Sequence, residues 1–578
     1  MTANRQTLPE SRTDSRTAHG PGRHLALAAV MAALMAAGVY AVRTLSLFIS
    51  PMLFLAAVFL EVVFGAVFVL ALVRALAAPT AVMRSLAASA WSGLRTNEHV
   101  VRALTSEAAP LPWLRDRFRL DRASGLWLTA TAVIAAVPLV AFLKLAVTVA
   151  TRGPLTQVDA RIEHLMPSVR TPGETAVFTI ATALGSFPSI LVMAVIAVAV
   201  LWWRRERLLA AAVVGTVAAQ ELLFTVAKDI GGRPRPDTAL ALVVETSPSF
   251  PSGHSVRATV VFGIIAYLVF KSLRSVWART LTVSAYLLAV LAVTASRVYL
   301  GAHYVSDVWG GMLLGAALLA AVVGALEIAA RFPLRRVRRR PGIPSRAIAL
   351  APAAALVFAA GLGPALVHPQ EHTAQATTQA LPSLDPAAFS RLPLYSETLT
   401  GSRMEPASFV FVGSEEQVVR AFTRAGWQEA DPSTLANTLR AFAVGFQGGQ
   451  YASAPVTPAF MDAQPETLAF QKATAANSLR QRHHIRIWRT GFTAPDGRNV
   501  WEATASFDDG IEFAGPAKLP THHIDPNVDA ERGYIAGSLG LPGRLFQRTD
   551  PQMGHNASGD EFFTDGRADL VVLPAAAS

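Results

Sequence analysis

Three short segments of this chain of 578 residues gather the side chains best suited to chemistry. The first runs Lys228-Asp-Ile-Gly-Gly-Arg-Pro-Arg235-Pro236, the second Pro251-Ser252-Gly253-His254, and the third Ser296-Arg297 followed by His303 and Asp307. Together they meet the needs of phosphate-ester cleavage. Negative charge on phosphoryl oxygens must be held, and Lys228, Arg235 and Arg297 supply one point charge and two planar forks, assisted by the Ser252 hydroxyl and N–H groups around Gly253. Gly253 lets the backbone approach, and the start of the helix after His254 adds a favourable dipole. Asp307 follows His303 by four residues, so on a helix beginning there both project from one face, the carboxylate fixing the imidazole tautomer and stabilising the cation formed on attack. His303 is the expected nucleophile. His254 is expected to protonate the leaving alkoxide and then activate water, which requires one neutral and one protonated histidine and predicts a bell-shaped pH profile.

About forty residues separate the second and third segments, the length of one helical hairpin that crosses a bilayer and returns. The surrounding composition agrees: 52% of residues are hydrophobic and only 16% charged, with a mean hydropathy of +0.37, which points to a membrane protein. Apolar stretches of roughly 20 residues are expected to span near 24–42, 51–73, 125–150, 180–203, 208–227, 252–272, 280–299, 305–330 and 347–367. Basic clusters fall in alternate loops: Arg84 to Arg119, then Arg204, Arg205 and Arg207, then Lys271, Arg274 and Arg279, then Arg335 to Arg340. The positive-inside rule makes these cytoplasmic, placing the amino terminus inside and the catalytic segments and carboxyl terminus outside the cell membrane. The net charge of +11 therefore reads as topology, and no nucleic-acid partner is expected. With no cysteine in the chain, disulfides, thiolate metal sites and cysteine nucleophiles are excluded.

The expected fold class is an all-α polytopic membrane helix bundle of about nine spans with a C-terminal soluble α+β domain. Residues 1–124 read as a basic tail, two spans and a cytoplasmic segment; 125–330 as the catalytic core; 331–390 as a basic loop, last span and Thr/Gln/Ala/Pro-rich linker; and 391–578 as the outer domain. In that domain Phe409–Val412, Ile485–Ile487 and Val500–Phe507 read as strands, and Glu415–Ala425 and Asp529–Leu539 as helices. His483, His484, His522, His523 and Asp525 suggest a metal site, but adjacent histidines on a strand face opposite ways, so the structural reading is preferred. Glu61 and Glu221 lie inside apolar stretches, and Glu221 is expected to pair with a cation beneath the site.

Each element taken alone has an ordinary structural use, as a headgroup anchor, a turn or a buried histidine. The joint order is another matter. Lys228-x6-Arg235-Pro236, Pro251-Ser252-Gly253-His254 and Ser296-Arg297-x5-His303-x3-Asp307 resemble the three-part signature of the type 2 phosphatidic acid phosphatase family, which also includes vanadium haloperoxidases. The resemblance covers about 125–330, including Asp159 and Leu184-Gly185-Ser186. It implies a six-helix core, metal-independent cleavage of a phosphomonoester or diphosphate, no cofactor, and a phosphohistidine at His303. Arg482 to Trp488, His523-Ile524-Asp525-Pro526 and Glu531-Arg532 are similar to the LssY-type carboxy-terminal domain, a resemblance that carries no activity over and leaves the role of this domain open. The substrate expected is a lipid phosphate held in the bilayer, such as phosphatidate, phosphatidylglycerol phosphate or a polyprenyl diphosphate. Two competing readings are a phosphotransferase using the same site and a non-enzymatic lipid-binding or transport protein.

Overall fold

The computed structural model describes residues 123–332, 350–366 and 378–574, with breaks at 477–478, 515–518 and 557–558, together with Arg117 and part of a helix within 26–36. The core helices are α1 (Leu126–Ala150), α2 (Pro154–Val169), α3 (Pro172–Leu184), α4 (Phe187–Trp203), α5 (Arg207–Gly231), α6 (Gly253–Ser272), α7 (Val276–Tyr299), α8 (Val305–Arg331) and α9 (Leu350–Leu366). Among the described residues five helices, α1 and α5 to α8, are long and apolar enough to cross a membrane, and the pair α3 and α4 passes the same test as one span bent by 52°. The expected stretch at 51–73 lies outside the described residues, as do most of 24–42, Glu61 and the basic run 335–340, and α9 has only 17 residues. The described helices therefore do not reach the expected nine spans.

Local chemistry explains the shape of this bundle. Along α1, Val133, Ile134, Val137, Val140, Leu143 and Val147 are all more than half exposed, a surface that only lipid would satisfy. Between α3 and α4, Pro188 in the first turn of α4 lacks the N–H that would continue the ladder, which accounts for the bend. Gly185 at that bend lies so close to α7 that an added Cβ would stand 2.4 Å from Val293, and 3.3 Å from the His254 ring. On α8 a Cβ at Gly311 would come within 2.5 Å of the Ser252 carbonyl, and one at Gly310 within 2.6 Å of the Phe250 ring. Small residues on this face let α8 meet the loop carrying Pro251 to His254 backbone to backbone.

The C-terminal domain has a mixed sheet of β1 (Phe409–Val412), β2 (Gln428–Glu429), β3 (Leu468–Ala473), β4 (Arg482–Thr493), β5 (Asn499–Ala514), β6 (Leu519–Ile524), β7 (Gly543–Gln547) and β8 (Arg567–Val572). Its order is β7-β8-β1-β5-β4-β3-β2, with β6 pairing β5; β8 and β1 run parallel, while the pairs on either side are antiparallel. Phe409, Phe411, Ile485, Ile487, Trp501 and Ala503 alternate onto one face and are covered by α10 (Glu415–Arg424) and α12 (Val528–Leu539), while α11 (Leu435–Phe446) lies between them in sequence. Ser414 starts α10 with a reciprocal cap: its Oγ accepts from Gln417 N at 3.3 Å, and Gln417 Oε1 accepts from Ser414 N at 2.7 Å. A smaller sheet joins Arg403–Pro406, Tyr395–Glu397, Phe460–Met461 and Gln464–Pro465.

Candidate active site

Helix ends deliver the three signature segments to one place. Lys228 sits in the last turn of α5, where a cation complements the helix dipole, and Gly232 at φ +55° turns the chain into Arg233 and Arg235. Arg297 occupies the last turn of α7, and Gly301 at φ +74° lets the following turn pass against Ala241 before His303. Ser252 caps α6, its Oγ accepting from Ser255 N at 3.4 Å, and its own N–H donates to the Asp307 carbonyl at 3.0 Å. That last bond ties the second segment to the third.

At the centre stands a carboxylate. Glu245 Oε2 accepts from Arg235 Nη2 at 2.8 Å, its Oε1 pairs with Arg297 Nη2, and His254 Nδ1 lies 4.0 Å from the same Oε1. Burial alone would raise the Glu245 pKa, but the charges of Arg297, His254, His303 and Arg235 outweigh it and hold the carboxylate well below its ordinary range. Arg235 also donates through Nη1 to His303 Nε2 at 3.2 Å and to the Ala302 carbonyl at 2.6 Å. A guanidinium can only donate, so Nε2 accepts and the ring proton belongs on Nδ1. Nδ1 faces Asp307 Oδ2 at 3.4 Å and Ser249 Oγ at 3.3 Å. Burial pushes the His303 pKa down to about 4 against the upward pull of Asp307, so the ring is neutral at pH 7 with a lone pair on Nε2 directed at Arg235.

Asp307 is pinned from every side. Its Oδ2 accepts from Ser249 Oγ and from Tyr304 N at 3.0 Å, and its Oδ1 accepts from Arg233 Nη1 at 2.6 Å. Arg233 packs its guanidinium 4.1 Å from the Tyr304 ring centre and reaches Asp159 Oδ2 through Nη2 at 2.9 Å. Asp159 in turn accepts from Ser306 N at 3.0 Å and Ser306 Oγ at 2.5 Å.

Several expectations change in detail. His303 and Asp307 do meet, but not as neighbours on a helical face: α8 begins at Val305, His303 lies in the turn before it, and the Asp307 carboxylate folds back over the helix start. Lys228 Nζ donates to Ser247 Oγ at 2.9 Å and to the Pro248 carbonyl at 2.7 Å, so it holds the loop behind Glu245 and adds charge from there. Ser252 serves as a cap, and Gly253 lies against the Phe224 ring, where a Cβ would stand 3.1 Å away and press on it. Glu221 meets its cation, accepting from Arg257 Nε at 2.7 Å and Nη2 at 2.8 Å. In the C-terminal domain His483 Nδ1 pairs with Glu531 at 2.7 Å, whereas His484 on the opposite face pairs with Asp508 at 3.4 Å. Among the described residues no group of three or more His, Asp or Glu is placed to hold a metal ion there. Sequence reasoning missed Arg233, Glu245 and Ser249. A signal existed for the first, since the Arg-Pro-Arg-Pro repeat offers two guanidiniums where one was assigned a role.

Comparison with known proteins bears on this arrangement. The PAP2 superfamily profile matches residues 208–330 and that of the LssY C-terminus matches residues 389–568. Phosphatidylglycerophosphatase B of Bacillus subtilis (strain 168) is 39% identical over 196 residues, which is 33% of this chain and 94% of that protein. The chain belongs to the PAP2 superfamily. Glucose-6-phosphatase 3 of Mus musculus, 41% identical over 78 residues, matches 13% of this PAP2 chain and 22% of its own. A crystal structure of a transmembrane PAP2-type phosphatidylglycerolphosphate phosphatase from Bacillus subtilis is 32% identical, covering 36% of this chain and 99% of that one at a TM-score of 0.31. Apolar helices and PAP2 membership together make the protein a multi-pass membrane protein, with relatives named as phosphatases.

Proposed function

We propose that this chain is a lipid phosphate phosphatase that hydrolyses a phosphomonoester or diphosphate through a phosphohistidine at His303. One observation carries the reading: Arg235 and Arg297 converge on a single carboxylate, with His254 and the His303 lone pair on the same cluster. A carboxylate there stands in for phosphoryl oxygens. Substrate phosphate takes the place of Glu245, its oxygens held by Arg235 and Arg297 with Lys228 adding charge from behind. His303 Nε2 attacks phosphorus, the N–P bond forming as the ester P–O bond breaks, while Asp307 accepts from Nδ1–H and steadies the growing positive charge. His254 gives its proton to the leaving alkoxide, then takes one from water, which attacks the phosphohistidine and releases inorganic phosphate. All charge stabilisation is supplied by protein cations, so chelators are expected to leave the rate unchanged.

The lipid tail has a path of its own. An apolar groove of about 770 Å³ runs between α4 and α5, lined by Phe187, Leu191, Trp202 and Val214 and ending at Glu221. Arg257, paired to Glu221, stacks 4.8 Å from the Phe224 ring beside Gly253, so the groove ends close to the start of α6. The 39% relative spanning nearly all of its own length favours phosphatidylglycerol phosphate among the candidates. Basic residues Arg204 to Arg207 and Lys271 to Arg279 lie at the helix ends opposite His254 and His303 in chain order, which supports an extracytoplasmic site.

The test incubates purified protein in detergent with a panel of lipid phosphates, with and without chelator, beside His303→Ala. Phosphate release from at least one lipid, indifferent to chelator and reduced by about 10⁴-fold or more in the variant, is the expected result. Release that vanished with chelator, or that persisted in His303→Ala, would refute the mechanism, and a phosphorylated acceptor in place of inorganic phosphate would make the protein a phosphotransferase.

A further inference from the structure

Helix α2 has two faces with different partners. At 100° per residue, Asp159 and Glu163 lie on one side and Arg161 and His164 on the other. The first side holds the catalytic loops: Asp159 binds Arg233 and Ser306, and Glu163 Oε1 accepts from Asp237 N at 2.5 Å, two residues beyond Arg235. The second side meets the C-terminal domain. Arg161 pairs through Nη2 with Glu397, the pairing face of its guanidinium buried, and donates at 3.5 Å to the Leu399 carbonyl. His164 Nδ1 faces the Ala463 carbonyl at 3.2 Å, and its Nε2 faces the Gln464 amide at 3.2 Å. Leu399 packs into an apolar cluster with Ile162, Met166, Val298 and Val308. Gly401, at φ +85°, lets the turn pass over Arg161, where a Cβ would stand 3.1 Å from the guanidinium.

We infer that the C-terminal domain braces the active site, docking on α2 through Glu397, Leu399 and Gln464 so that Asp159 holds Arg233 and Ser306 against Asp307. This rests on the hydrolytic reading above for its kinetic consequences, although docking itself does not. Arg161 is a positioning residue, two positions from Asp159 and touching neither phosphate nor either catalytic histidine. Nothing in the small sheet of the domain need bind a ligand for this role. The interaction is built of an ion pair buried on its arginine side, a leucine in an apolar cluster shared by α2, α7 and α8, and two polar contacts to a histidine of α2.

Two experiments on the full chain test it. The protein has no cysteine, so His164→Cys with Gln464→Cys gives a clean pair for a short bis-maleimide in native membranes. A rapid intramolecular cross-link is expected; its absence, with both thiols reactive to a monofunctional maleimide, overturns docking whatever the enzyme does. In the second, Arg161→Ala, Glu397→Ala and the exchanged pair Arg161→Glu with Glu397→Arg are assayed for lipid phosphate release. Each single variant is expected to lose between about 10- and 100-fold in kcat with KM little changed. The acid limb of kcat/KM should move down, because the Asp307 contact that raises the His303 pKa is loosened. The exchanged pair should recover most of the loss. If both single variants turn over like wild type while the cross-link forms, the domain docks without positioning the site and the inference is refuted. Loss without rescue in the exchanged pair, with a pH profile unmoved, would assign Arg161 a merely structural part and refute it equally. Wild-type protein inactive on every lipid phosphate would instead defeat the hydrolytic reading and leave the cross-linking result standing.

Discussion

Both halves of this protein bury arginines, but they balance them differently. In the C-terminal domain the buried guanidiniums are matched: Arg548 with Glu502, Arg482 with Asp508, and Arg532 with Asp529 and Asp565. In the membrane core, Arg235 and Arg297 share Glu245, with Lys228 behind them on Ser247 and Pro248. Desolvated charge is costly unless paired, so a surplus of cations persists only where something else completes it. Matched pairs mark architecture. Under the proposed function, the mismatch marks the place where an anion with more than one negative charge is received.

Substituting one arginine on each side puts that contrast under strain. Arg297→Ala is expected to lower kcat/KM by about 10²- to 10³-fold, as for removal of a donor aimed at developing charge, with little change in thermal stability. Arg548→Ala leaves Glu502 buried and uncompensated, and is expected to cost about 3–5 kcal/mol of domain stability in a denaturation experiment, with turnover below the unfolding temperature unchanged. If Arg297→Ala instead melts the bundle and keeps its rate, the contrast fails. A smaller effect comes from Glu245→Gln: removing the internal competitor should tighten inhibition by inorganic phosphate or vanadate about tenfold. Weaker inhibition would mean that Glu245 assists the anion in place of yielding to it.

The gentlest probe is pH. Since the folded-state value of His303 is depressed, its neutral, nucleophilic form persists down to about pH 4 and is lost below that, so the acid limb of kcat/KM should fall there in place of the ordinary 6.5. Burial is the main cause and the nearby arginines add to it, so in Arg297→Ala the limb should move upward. A wild-type limb near 6.5 would show that water reaches His303 and that the cluster is less desolvated than its geometry implies.

Much of this was legible in the residues. Phe409–Val412 is a strand with the expected bounds, and the Ser414 to Gln417 cap announces the helix that follows. Five core spans followed from apolar length, whereas the expected span 180–203 is broken near Gly185 into two helices, and the meeting of the three signature segments followed from their order and charge. What escaped was whatever depends on contacts between distant stretches. Nothing near Glu245 in sequence says that it will sit between Arg235 and Arg297, because the loop from Pro236 to Pro251 has little periodicity to place it. The spacing of His303 and Asp307 gave the right pair for an incomplete reason, since four residues can be bridged by a helix face or, as here, by a carboxylate folding back over a helix start. Arg233 was overlooked because its two acidic partners come from α2 and α8, 74 residues away on either side.

The position of Glu245 has one more effect. A cluster of guanidiniums that already holds an internal counterion has no need to recruit chloride or free phosphate from the surroundings, so in the proposed reaction departure of the product and return of the side chain would be a single exchange. If that reaction is the right one, turnover should tolerate ionic strength better than so cationic a cluster would suggest.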